Sequence, residues 1–170
     1  MSVVRISTIN GLLLALYFIP TWTIAAAKIA IFPIRGIYER ANIAPAIFAS
    51  DHLQLYAAWT VRLAWLLALS KFLVVAFFAL FVVIALLSAR RKDGDRDEAL
   101  TLALMVGGLI SFASMILADK VGEIAALRLH ATESLMLIGG LLITSMDKRK
   151  GESASRLGSA TPAGIAEPAH

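Results

Sequence analysis

The chain has 170 residues, 59% of them hydrophobic and only 16% charged, with no cysteine and a mean hydropathy of +0.78. Soluble domains carry about a quarter charged residues and roughly 45–50% apolar ones, so this composition belongs to a membrane protein and, without cysteine, excludes disulfide staples, thiolate metal centres and thiol chemistry. The formal charge of +4 does not indicate nucleic acid, because the basic clusters lie beside apolar runs, where they set topology, and no folded basic domain is left to present a patch.

Four apolar runs can each cross a bilayer, which takes about 20 helical residues. They are placed at about 6–32, 56–89, 99–118 and 124–146. Their apolar positions are continuous and do not alternate, so they read as helices; barrel strands alternate. The fold expected is an all-α integral membrane protein, a four-transmembrane-helix bundle. The first run has an alternative reading: Arg5, the GLLLALYFI core, Pro20 and Ala25-Ala26-Ala27 follow the order of a cleaved secretory signal. Its uncharged stretch is longer than a signal core, and it is read as a span kinked at Pro20.

Lys and Arg counts orient the bundle. The side holding both termini has Arg5, Arg90, Arg91, Lys92, Arg96, Lys148, Arg149, Lys150 and Arg156; the other has Lys28, Arg35, Arg40, Arg62, Lys120 and Arg128. Nine against six puts the termini in the cytoplasm of a bacterial-type inner membrane. Residues 148–170 read as a disordered cytoplasmic tail, rich in small and polar residues. Residues 33–58 are long for a membrane hairpin and should be structured or functional. Ile43, Ile47, Phe48, Leu53 and Tyr56 suit an interfacial helix, giving a small periplasmic cap with Arg35, Arg40, Asp51, His52 and Arg62 as its polar residues. Ser50 and Asp51 are read as the cap of the second span, which would then start near His52.

Charged residues inside spans are few and expensive, which marks them as functional candidates. Lys71 in the second span and His130 and Glu133 in the fourth are expected to form a polar intramembrane cluster. His130 and Glu133 share a helix face at i, i+3, and Lys71 is the cross-helix partner expected for the carboxylate. Lys71 can also snorkel from an interfacial position. Arg62 falls on the opposite face of the second span from Lys71. Small and hydroxyl residues, Gly107, Ser111 and Ser114 on the third span and Gly140 and Thr144 on the fourth, form stripes along which these two helices should pack, with Glu133 pointing inward.

No nucleophile, phosphate-loop, dinucleotide or zinc-protease motif is present in the sequence, so no catalytic residue is assigned. A haem or metal between His52 and His130 is not expected, since His52 falls above the membrane on this count. The function expected is an accessory or assembly subunit of a larger membrane complex, in contact with lipid and with a membrane-protein partner or a second copy. The alternative is an oligomeric small channel or carrier working through Lys71, His130 and Glu133.

Overall fold

The computed structural model describes residues 6–31, 40–87 and 93–159. They form five helices: α1 (Ile6–Ile31), α2 (Arg40–His52), α3 (Ala57–Leu87), α4 (Asp93–Val121) and α5 (Ile124–Ser159). Four of them, all but α2, are long and apolar enough to span a membrane. The chain is thus an all-helical bundle with the composition of a multi-pass membrane protein. Its outer faces carry Leu13, Leu16, Leu69, Leu109, Leu135 and similar large side chains, as a lipid-facing surface requires.

Local chemistry explains where the helices stop. α4 ends at Gly122, whose φ of 76° is the left-handed conformation that glycine adopts without strain. Gly122 N–H donates to Asp119 O at 3.1 Å and Glu123 N–H to Ala118 O at 3.1 Å, the paired bonds of a Schellman end. The end of α2 repeats this with a poorer residue. Gln54 has φ 51°, while Gln54 N–H donates to Asp51 O at 3.3 Å and Leu55 N–H to Ser50 O at 2.9 Å. This corrects the expected helix start at His52: Ser50 and Asp51 belong to the last turn of α2, and the Schellman turn separates them from α3. Ser50 still reaches the next helix, its hydroxyl 2.5 Å from that of Thr60.

At the other end of the bundle Ser7 donates to Asp147 at 2.6 Å, tying the start of α1 to α5. α5 continues through residues 148–159 of the expected tail. Residues 160–170, like Arg35, Arg90, Arg91 and Lys92, lie outside the described residues.

The core has three parts. The largest joins α1, α3, α4 and α5 through Leu14, Phe18, Val74, Phe78, Phe81, Leu100, Leu104 and Leu137. Two smaller clusters pack α2 onto the bundle end. Ile43 and Ala46 meet Ala26, Ile29, Ala64 and Ala68, and Ala44 meets Ala118 and Ala126. α2 is therefore built into the end of the bundle, over α3, α4 and α5. Lys71, Ser111, His130 and Glu133 are buried in the half of the bundle that carries this roof.

Candidate functional site

Glu133 is the hub. It lies nine residues into α5, about 13 Å along the helix at ~1.5 Å per residue, and is 3% exposed. Oε1 accepts the indole N–H of Trp22 at 2.7 Å. Oε2 accepts the Ser111 hydroxyl at 3.2 Å and contacts His130 Nδ1 at 3.0 Å. Trp22 stands nine residues before the end of α1 and Ser111 ten before the end of α4. Antiparallel packing therefore brings the three side chains to one level.

The second nitrogen of His130 finds an acceptor created by a proline. Nε2 lies 3.3 Å from the carbonyl oxygen of Ala41 in the first turn of α2. In a helix that oxygen would accept the N–H of the residue four positions on. Here that residue is Pro45, which has no N–H to give. His130 supplies the missing donor and so docks α2 onto the polar layer.

The two contacts engage both ring nitrogens. A carbonyl only accepts, so Nε2 carries a proton. Nδ1 faces a carboxyl oxygen at 3.0 Å, a contact that requires a proton on one of the two atoms.

Lys71 is 1% exposed. The burial excludes snorkelling to the surface. The expected direct ion pair with Glu133 is not formed: among the described residues the carboxylate's ion-pair partner is His130. The Lys71 ammonium lies over the Trp22 ring, 5.5 Å from its centroid, and the same ring passes its N–H to Glu133. Trp22 is therefore the central residue that the sequence reading missed. Phe18 forms the floor beneath it, edge-on to Trp22 at 5.2 Å and stacked on Phe78 at 5.6 Å. A cavity of about 290 Å³ adjoins the cluster, lined by Tyr17, Thr21, Lys28, Asn42, Lys71 and Glu133 among others.

The remaining expected residues separate by role. Gly107, Ser111, Ser114, Gly140 and Thr144 are all buried. Gly107 faces Leu137 and Val74, and the Thr144 hydroxyl bonds its own helix at Gly140 O, 2.9 Å away. Asp51, His52 and Arg62 are exposed. His52 stacks on Phe48 at 5.6 Å, and the Arg62 guanidinium lies 4.7 Å from the centre of the Trp59 ring. Arg40 opens α2. Among the described residues no three His, Asp or Glu side chains converge as metal ligands.

What this arrangement can do follows from its asymmetry. It offers a hydrogen-bonded carboxyl, a histidine with both nitrogens engaged and a buried ammonium, all in one half of the bundle. Comparison of the chain with known protein families, with curated proteins and with solved structures finds no match.

Proposed function

We propose that this chain is a non-transporting accessory or assembly subunit of a larger complex in a bacterial-type inner membrane. The observation that carries the reading is the apolar seal beneath the polar layer. Phe18, Val74, Phe78, Phe81, Leu104 and Leu137 close the centre of the bundle below Trp22 and Glu133, so among the described residues an ion crossing one protomer meets no charged station there. Two hydroxyls that could line an oligomeric pore are engaged elsewhere, Ser111 with Glu133 and Thr144 with its own helix. The α4–α5 surface, by contrast, presents an apolar groove of about 490 Å³ lined by Met105, Leu109, Phe112 and Ile138, shaped for a partner helix or lipid chains.

In this reading the termini are cytoplasmic and α2 is a periplasmic cap. The chain has no cysteine, so one placed at the exposed Asp51 gives a clean topology probe. Labelling of that cysteine by an impermeant thiol reagent in intact cells is expected; labelling only after lysis overturns the orientation. The role itself is tested by mild-detergent purification of the tagged chain from native membranes, with stoichiometric partners identified by mass spectrometry. A fixed partner is expected. Recovery as a homo-oligomer that conducts ions in liposomes would replace this reading with the channel.

A further inference from the structure

The cluster around Glu133 is internally complete without Lys71. Trp22, Ser111 and His130 satisfy the carboxyl group. The Lys71 ammonium feels the charge of Glu133 but makes no contact ion pair with it, the carboxylate's ion-pair partner among the described residues being His130. It is 1% exposed, and the contact recorded for it is the Trp22 ring face at 5.5 Å. A ring face accepts no conventional hydrogen bond, so the three N–H donors of the ammonium call for oxygen acceptors. Lys71 lines the cavity of about 290 Å³ between α1, α2, α3 and α5.

We propose that this cavity binds an oxyanion, the acidic headgroup of a membrane amphiphile, through the Lys71 ammonium. Thr21, Ile24 and Lys28 line the cavity and are also exposed on the outside of α1, so it opens sideways between α1 and α5. A ligand can enter from the bilayer without passing through the α2 roof. The volume lies at the small end for a ligand pocket, about 300 Å³ upward, and takes a headgroup while leaving the acyl chain outside against Ile24 and Leu129. A second basic residue, Lys28, the Tyr17 hydroxyl and Asn42 line the same space, as does Glu133, whose carboxyl oxygens are turned to Trp22, Ser111 and His130. The proposal goes beyond the accessory-subunit reading and does not depend on it.

The test uses the full-length chain in phosphatidylcholine nanodiscs. Trp59→Phe and Trp65→Phe leave Trp22 as the sole tryptophan of the three, placed against Lys71 as the reporter. Oleate is expected to shift Trp22 emission saturably, and oleyl alcohol, with the same tail and no charge, is not. Lys71→Met should raise the oleate concentration for half-saturation about tenfold or more, the effect of losing one charge-assisted hydrogen bond. Lys71→Arg should retain binding. Inorganic phosphate giving the same saturable shift would also support the oxyanion site and assign its source to water. Equal binding by folded Lys71→Met, an equal response to oleyl alcohol, or no saturable shift with any anion in the folded parent overturns the proposal.

Discussion

Replacing Glu133 separates the hydrogen bonds of the cluster from its charge. Leucine at this position fills a similar volume but leaves the Trp22 N–H, the Ser111 hydroxyl and His130 Nδ1 without their acceptor, all inside the bundle. Interhelical hydrogen bonds in membrane proteins contribute on average ~0.6 and at most ~1.7 kcal/mol each. Three such bonds put the expected loss at about 2–5 kcal/mol. The lower part of that range is favoured if Ser111 turns back to its own helix. Glutamine is a milder change. Its amide oxygen can keep the Trp22 bond, and its NH₂ can donate to Nδ1 of a neutral His130 whose Nε2 proton stays on Ala41. The expected loss is then about 1 kcal/mol, the charge assistance alone. Reversible SDS unfolding in mixed micelles, followed by far-ultraviolet circular dichroism, measures both variants. Glu133→Leu as stable as the parent refutes the hydrogen-bonded hub. Glutamine as damaging as leucine refutes the view that bonds outweigh charge there.

Other substitutions test the packing and the turns. A Cβ on Gly140 would stand 2.5 Å from Leu14 Cδ1 and 3.1 Å from Leu104 Cδ2, whereas one on Gly139 meets nothing within 4 Å. Gly140→Ala should therefore lose about 1–2 kcal/mol by overpacking, and Gly139→Ala should be neutral or gain up to about 1 kcal/mol of helix propensity; equal unfolding midpoints for the two would contradict the α1–α4–α5 packing. At the turns the expected signs are opposite: Gly122→Ala lowers stability by about 1 kcal/mol and Gln54→Gly raises it by a similar amount, since both positions have positive φ. Pro45→Ala should restore an N–H donor to the Ala41 carbonyl and so reduce the penalty of His130→Ala; a double-mutant cycle with coupling of about 0.5–1 kcal/mol is expected, and strict additivity would mean that the His130–Ala41 bond contributes nothing.

The bundle was legible in the sequence because membrane spans are written in the coarsest variable, the length of an uncharged run. The burial of the small-residue stripe on α4 and of Glu133 on α5 also follows from periodicity, since residues seven apart return to one face. Trp22 escaped for a specific reason. Tryptophans in membrane proteins are normally assigned to the interface, and nothing local to the first span shows that this one meets a carboxylate from a helix more than a hundred residues later. The same non-locality hid the Ala41 contact. Pro45 was visible, but the carbonyl that it orphans gains meaning only when His130 stands opposite. The Ser50-Asp51 pair reads as a helix start, whereas Gln54, a residue without a strong left-handed preference, forms the turn that ends α2.

A structural lock and a binding site make different demands on Lys71. A lock needs Glu133 satisfied, and three donors from three helices already do this. Adding Lys71 then brings a charge into the bundle at about 2.5–3.5 kcal/mol on insertion scales for a mid-span position. The cation–π contact with Trp22 returns about 2 kcal/mol or more when desolvated, and the nearby Glu133 charge adds to it, so together they offset most of the penalty. Methionine would fill the same space with no penalty at all. On these magnitudes Lys71→Met should leave the bundle as stable as the parent or slightly more so. A lysine that brings the fold no clear energetic gain, next to a cavity that it lines, leaves its ammonium donors for a ligand there.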